Sequence, residues 1–186
     1  YTDNYHLEFS RLIQLINDRT AIVFLPNPNM PIEGTLSINE LENLAEHCKT
    51  YNAILAIDEV YYPFGGPTAI EMIKNHENIF VMRSFSKAFG LAGIRVGYLL
   101  GTPENIEYVS KTRCGYETNT ISMEIATFFL DHYDVIQSYT LDVKEGLKYL
   151  KTMLNELDIE TNGGSTGNCL FVNLHDARLT KKIVEQ

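Results

Sequence analysis

Basic residues are scarce in this sequence, and the shortage excludes one large class of partner. Its 186 residues include 15 Lys and Arg against 24 Asp and Glu, a formal net charge of −9. Non-specific nucleic-acid binding needs a positive surface, so nucleic acid is excluded as a partner. Long apolar runs are also missing, because none approaches the roughly 20 residues that span a bilayer. Residues 1–10 lack the apolar core of a signal peptide. We therefore expect a cytoplasmic protein with no membrane partner.

Metal-binding and nucleotide-binding patterns are missing too. Cys48, Cys114 and Cys169 are widely spaced and form no CxxC pair, which argues against a zinc ribbon or a redox pair. The five histidines show no metal-ligand spacing, and no GxGxxG loop joins a strand to a helix. We expect three reduced thiols and no metal site.

What the sequence does contain is the alternation of an α/β fold. Its 45% apolar and 21% charged residues are typical of a globular protein. Continuous apolar runs predict strands buried on both faces at residues 21–25, 53–57, 79–82 and 94–100. Ser37 and Glu40 form a capping box before one helix, and Thr102 with Pro103 opens another. Strands that alternate with helices predict a mainly parallel sheet.

The last third of the chain has a different pattern. It is mostly helical from residue 119 to about residue 157, then predicts a loop at residues 162–165 and a strand at residues 169–174. A helix is expected from residue 178 onward. This shift predicts a change of domain between residues 114 and 140.

Polar side chains follow three successive predicted strands. The first strand is followed by Asn27 and Asn29, the second by Asp58 and Tyr61, and the third by Ser84, Ser86 and Lys87. In open parallel sheets the carboxyl ends of the strands form the edge where ligands bind. Three successive strand ends of this kind predict a ligand site there.

The chemistry of these groups points to one cofactor. A lysine just after a buried strand can be partly desolvated, and its amine then forms Schiff bases with carbonyls. Asp58 can hold a protonated ring nitrogen, while Ser84, Ser86 and Arg95 suit a phosphate. An aldehyde, a ring nitrogen and a phosphate together describe pyridoxal 5′-phosphate.

Several segments resemble a known family. Residues 84–98 (SFSKAFGLAGIRVGY) closely resemble the Schiff-base lysine motif of the class I/II pyridoxal-phosphate-dependent aminotransferases. Residues 58–61 (DEVY) resemble that family's cofactor aspartate motif, and residues 27–31 (NPNMP) its Asn-Pro motif. Within the superfamily, residues 111–119 and 165–172 are most similar to the histidinol-phosphate aminotransferase branch.

The resemblance implies a role for each candidate residue. Lys87 would form the Schiff base and shuttle the substrate Cα proton, and Asp58 would pair with the pyridinium nitrogen. Tyr61 would donate a hydrogen bond to the phenolic oxygen of the cofactor. The phosphate would be held by Ser84, Ser86 and Arg95. Asn168 lies where the family approaches the substrate carboxylate.

The Asn-Pro motif departs from the family pattern. It continues as Met30-Pro31-Ile32-Glu33-Gly34, with one residue more before the glycine. The asparagine that usually contacts the phenolic oxygen falls at Met30. We therefore expect that contact to shift to Asn29, with Asn27 as the alternative, or to be lost.

The implied fold is part of the three-layer, mainly parallel large domain of a pyridoxal-phosphate-dependent transferase, followed by the start of an α+β small domain. The expected division is large domain at residues 1–118, interdomain helix at residues 119–140, and small domain at residues 141–186. The implied partners are an amino acid, a 2-oxo acid and a second subunit of a homodimer.

The family's glycine-rich phosphate turn, ring-stacking aromatic and carboxylate-binding arginine have no counterpart here, so we expect a fragment of a longer aminotransferase. Two alternatives stay open. One is a pyridoxal-phosphate decarboxylase or lyase, such as a threonine-phosphate decarboxylase. The other is an incomplete, catalytically inactive segment.

Overall fold

The computed structural model describes residues 7–115 and 117–185. Tyr116, in the segment at residues 111–119 that carries part of the resemblance, lies outside the described residues. A four-stranded sheet has the order β1 (Ile22–Pro26), β2 (Ile54–Asp58), β3 (Ile79–Ser84) and β4 (Gly97–Leu100). The first three strands are parallel and β4 is antiparallel to β3. The prediction of a mainly parallel α/β sheet is confirmed.

Helices precede, connect and follow these strands. In chain order they are α1 (Phe9–Leu15), α2 (Ile38–Thr50), α3 (Pro103–Ser110), α4 (Thr120–Asp131), α5 (Tyr133–Glu156) and α6 (Ala177–Val184). The capping box is confirmed: Glu40 N donates to Ser37 Oγ, and Ser37 N donates to Glu40 Oε2 at 2.8 Å. Thr102 Oγ1 caps α3 by accepting from Asn105 N. None of the helices in the described ranges is long and apolar enough to cross a bilayer.

The segment at residues 119–140 contains two helices rather than the single interdomain helix that was expected. The break falls at His132, where α4 ends and α5 begins, and α5 runs on to Glu156. The expected boundary between residues 140 and 141 therefore falls inside α5. After α5, a two-stranded antiparallel sheet pairs β5 (Glu160–Gly163) with β6 (Leu170–Asn173). The division into domains stays a prediction.

The main core lies on one face of the sheet. Val23 and Leu25 of β1 are buried against α2, together with Leu55 and Ile57 of β2. The alternate residues of β1 point the other way, and Ile22 and Phe24 are 59% and 58% exposed. The prediction that this strand is buried on both faces is therefore wrong. The reason is that α1 and α2 both pack on the same face of the sheet.

A second cluster anchors the segment that follows β3. Phe85 and Phe89 are buried, with their ring centroids 4.7 Å apart, and Phe64 and Val96 join them. Helices α4 and α5 complete the cluster through Ala126 and Ile136. This packing fixes the backbone on both sides of Lys87.

Candidate cofactor site

Strand register brings the predicted polar residues to one edge. Asp58 of β2 pairs with Pro26 of β1 on one side and with Met82 of β3 on the other. Asn27 N donates to the Asp58 carbonyl at 2.9 Å, which continues the ladder past the end of β1. The carboxyl ends of β1 and β2 are therefore level, and β3 continues two residues further, to Ser84, at the same edge of the sheet. Ligands bind at this edge in open parallel sheets.

Lys87 lies in a tight turn after β3. Gly90 N donates to the Lys87 carbonyl at 2.9 Å, and the flanking residue Ala88 is buried. The Lys87 side chain is exposed rather than partly desolvated as expected, and its Nζ lies 5.2 Å from the centroid of the Tyr61 ring. At this distance the ammonium group is attracted to the face of the ring. An anchored backbone thus carries an accessible amine.

Asp58 is half-buried at the end of β2 and accepts a hydrogen bond from Val60 N at 3.1 Å. Burial raises the pKa of the Asp58 carboxyl, while the Val60 N–H and the positive charge of Lys87 lower it in part. The net direction is upward, because burial is the largest of these effects. The charge of Lys87 is thus close enough to act on Asp58.

The predicted phosphate ligands divide into two groups. Ser84 and Ser86 lie together, since Ser86 N donates to Ser84 Oγ at 3.0 Å. Arg95 has a left-handed backbone with φ of 57°, and its exposed guanidinium donates to the Ala92 carbonyl at 3.1 Å. Both hydrogen bonds are local: one joins the two serines at the end of β3, and the other holds Arg95 to the residue three positions before it.

The two asparagines of the Asn-Pro motif have different surroundings. Asn27 is buried; its Oδ1 accepts from Leu36 N at 2.8 Å, and its Nδ2 donates to the Leu36 carbonyl. Asn29 is half-buried, and its Nδ2 donates to the Ile32 carbonyl at 3.0 Å. Asn27 therefore holds the loop after β1, and Asn29 closes a turn within it.

The predicted substrate residue, Asn168, is exposed and lies just before β6. The residues on both sides of it pack on Met30. Gly167 leaves no room for a side chain, since a Cβ added there would lie 1.9 Å from Met30 Cε. Cys169 Sγ lies 3.5 Å from Met30 Sδ. Burial and the charge of Glu33 raise the pKa of the Cys169 thiol, and the charge of Lys87 opposes them. Cys169 is therefore near both Glu33 and Lys87.

A buried ion pair beside the site was missed by sequence reasoning. The Glu59 carboxylate has no exposed side-chain surface and accepts from Arg83 Nη2 at 2.9 Å, Thr68 Oγ1 at 2.8 Å and Ala69 N at 2.6 Å. The Arg83 guanidinium carbon lies 3.6 Å from the centroid of the Tyr62 ring. The available signal was the adjacency of Glu59 to Asp58, because successive residues at a strand end face opposite ways.

The donor set fits pyridoxal 5′-phosphate. An accessible amine, a half-buried carboxylate, a phenol and a pair of hydroxyls occupy neighbouring strand ends, and these match an aldehyde, a ring nitrogen, a phenolic oxygen and a phosphate. A metal would need a different set of ligands. Within residues 7–115 and 117–185, no group of three His, Cys, Asp or Glu could hold a metal ion.

Curated proteins of known sequence are similar to this chain. The histidinol-phosphate aminotransferase of Thermotoga neapolitana is 31% identical over 165 residues, which cover 89% of this chain and 48% of the relative. The chain thus spans about half the length of the curated relatives it matches.

Solved structures share the fold. The histidinol-phosphate aminotransferase of Sinorhizobium meliloti, solved in complex with pyridoxal-5′-phosphate, superposes with a TM-score of 0.84 at 23% identity, over 100% of this chain and 51% of that one. The L-threonine-O-3-phosphate decarboxylase of Porphyromonas gingivalis reaches a TM-score of 0.68 at 25% identity, over 78% of this chain and 45% of that one.

The family assignment agrees with the lysine, aspartate and Asn-Pro segments at the sheet edge. The family model described as "Aminotransferase class I and II" matches residues 1–186. The match covers the motifs at residues 27–31, 58–61 and 84–98 as well as the helices and the hairpin that follow them. This chain belongs to the aminotransferase class I and II family.

Proposed function

We propose that the protein containing this chain is a pyridoxal-phosphate-dependent aminotransferase. It transfers an amino group between an amino acid, or an amine resembling histidinol phosphate, and a 2-oxo acid. The observation that carries the proposal is the position of Lys87. Its amine lies over the face of the Tyr61 ring, and its positive charge opposes the rise in the pKa of Asp58. Those three groups are the ones that the proposed cofactor requires.

Lys87 has two tasks in this proposal. Its Nζ would hold the cofactor through the aldehyde carbon, with the aldehyde oxygen leaving as water. Once the substrate amine has replaced it there, the same nitrogen would accept the substrate Cα proton and return it. General acid–base catalysis requires a group that is held within reach of the proton it moves, and the buried residues on either side of Lys87 hold its backbone in place. When bound, pyridoxal phosphate supplies the electron sink for that proton transfer.

Asp58 would hold the ring nitrogen of the cofactor. One of its oxygens accepts from Val60 N, and the carboxylate can also accept from a protonated ring nitrogen. Because the carboxylate is half-buried, an added positive partner stabilises its charged form more than it would in water. Tyr61 would orient the phenolic oxygen. Ser84 and Ser86 would bind the phosphate, with Arg95 as a bidentate partner once its guanidinium turns from Ala92.

The substrate assignment rests on similarity. The Thermotoga relative at 31% identity is a histidinol-phosphate aminotransferase, which favours amino transfer over the decarboxylation named for the P. gingivalis structure. Family resemblance further supports a homodimer. Asn168 is the proposed contact to the substrate carboxylate.

The cofactor proposal can be tested on the chain itself. After incubation with pyridoxal phosphate and reduction with borohydride, mass spectrometry should find one pyridoxyl phosphate on the peptide that contains Lys87. Lys87→Ala should abolish this labelling. Lys74→Ala should leave it unchanged, because Lys74 is exposed and pairs with Glu71 on a separate turn. Equal labelling of Lys87 and Lys74 in the wild-type chain would contradict the proposal.

The substrate proposal needs the longer protein. We expect histidinol phosphate and 2-oxoglutarate to yield glutamate, as measured by chromatography of the amino acids formed. Release of carbon dioxide from an amino-acid phosphate, without glutamate, would favour the decarboxylase alternative instead.

A further inference from the structure

The loop after β1 makes an unusual contact with the C-terminal part of the chain. Glu33 lies two residues after the Asn-Pro motif, in the segment that has one residue more than the family pattern. Both oxygens of its carboxylate accept from Ser165 N, at 3.2 and 3.0 Å, and Oε1 also accepts from Thr166 N at 2.9 Å. These partners are more than 130 residues away in sequence. Hydrogen bonds to an ionised acceptor are stronger than neutral ones.

The contact is reciprocal and closely packed. Glu33 N donates to Asn162 Oδ1 at 3.1 Å, so Glu33 acts as donor and acceptor toward the same segment. Gly163 has φ of +96°, and a Cβ there would lie 3.2 Å from Glu33 Cβ. The close approach and the left-handed backbone both favour glycine at this position. We call residues 163–167, together with Glu33, the Glu33 clamp.

The same loop touches a second strand-end loop. A Cβ on Gly66 would lie 3.4 Å from Thr166 Cγ2. Gly66 follows β2 a few residues after Tyr61, so the clamped loop lies between the loops that leave β1 and β2. Met30, from the first of these loops, packs on Gly167 and contacts Cys169.

We infer that Glu33 is a positioning residue: its carboxylate fixes residues 163–167 and thereby holds Cys169 and Asn168 beside the edge that contains Lys87. The clamp itself depends only on the contacts above. Its effect on cofactor binding rests on the proposed function. A loop whose two amides are already held by a carboxylate costs less to order when a ligand binds than a loop that must be fixed at that moment.

The clamp can be tested by hydrogen–deuterium exchange followed by NMR. In Glu33→Ala, the Ser165 and Thr166 amides should exchange roughly ten- to hundredfold faster relative to those of β2, the range expected when a hydrogen bond to a charged group is lost. Glu33→Gln keeps one acceptor oxygen and should fall between wild type and Glu33→Ala. Glu42→Ala, an exposed change on α2, should leave the ratio unchanged. An unchanged ratio in Glu33→Ala, or equal acceleration in the loop and in β2, would overturn the inference.

The positioning role has a separate measurement. The dissociation constant of pyridoxal phosphate, followed by its absorbance, should rise roughly tenfold in Glu33→Ala, since displaced binding groups weaken a site. A looser loop with unchanged cofactor affinity would overturn the positioning role. If the wild-type chain bound no pyridoxal phosphate, the proposed function would fail, while the exchange ratio would still decide whether the clamp exists.

Discussion

Asp58 and Glu59 are adjacent acids at the end of one strand, yet they lie in opposite kinds of environment. Glu59 is fully buried, and its oxygens accept from Arg83, Thr68 and Ala69. Asp58 is half-buried and accepts from Val60 N, and burial raises its pKa. The Glu59 side of β2 is satisfied within the chain, whereas the Asp58 side has capacity left for a ligand.

The contrast shows how a strand end can serve stability and binding at once. Successive side chains leave a strand toward opposite faces, so one acid can meet Arg83 while the next faces Lys87. The satisfied pair locks β2 to β3, because Arg83 belongs to β3. That lock keeps Asp58 in register with Met82, near the carboxyl end of β3. A half-buried carboxylate that accepts from one backbone donor can accept further hydrogen bonds, which is a reason to look for a ligand there.

The largest expected effect comes from removing the partner of Glu59. Arg83→Met should destabilise the chain by about 3–5 kcal/mol, because it leaves a fully buried carboxylate without its cation. Urea denaturation measures the change. Arg113→Met is the matched control, since it breaks the exposed pair of Arg113 with Glu117 and should cost less than about 0.5 kcal/mol. Equal losses of unfolding free energy in the two variants would show that the Glu59–Arg83 pair contributes no more to stability than an exposed pair does.

The cysteines extend the comparison from carboxylates to thiols. Burial raises the pKa of Cys48 to about 11, whereas Cys114 is exposed. At pH 8, iodoacetamide should therefore modify Cys48 at least about a hundredfold more slowly than Cys114, because the thiolate is the reactive form. Cys169 should react at an intermediate rate. Peptide mapping over time measures the three rates, and rapid modification of Cys48 in the folded chain would show that the core beneath the sheet is open.

A pH-dependent effect is expected at Asp58. Its pKa is raised in the folded chain, so its favourable contribution to stability is complete below the unfolded value of about 4 and is lost as the pH rises through the folded value. Asp58→Asn does not titrate. Without cofactor, Asp58→Asn should thus gain stability relative to wild type between pH 3 and pH 7, as measured by urea denaturation at each pH. A difference that stays constant or shrinks over this range would contradict the assignment.

The smallest expected effect on stability is at Lys87. The side chain is exposed, so Lys87→Ala should change the free energy of unfolding by no more than about 0.5 kcal/mol, even though the cofactor attachment is lost. Thermal or urea denaturation without cofactor provides the measurement. A loss of several kcal/mol would mean that Lys87, like Glu59, stabilises the fold through contacts within the chain.

Sequence reasoning predicted the sheet, and the edge where Lys87 follows β3, better than it predicted the contacts between segments far apart in sequence. The strand runs, the capping box and the motif that contains Lys87 are local patterns, and the structure shows the strands and the caps within a few residues of the expected positions. The β5 strand was missed, because Glu160–Gly163 is polar and carries a glycine where a loop was the better local prediction. The break at His132 was missed for a different reason, because apolar residues continue at helical spacing across it.

By itself, the sequence determined the alternation of strands and helices, the family and the set of chemically active side chains, because these depend on local pattern and residue type. Only the tertiary structure decided which acid is satisfied and which is open, and which face of β1 is buried. It also decided that Glu33 meets Ser165 and Thr166 across the chain. Those outcomes depend on register and on packing between segments far apart in sequence, where burial and hydrogen-bond partners set the energy of each polar group.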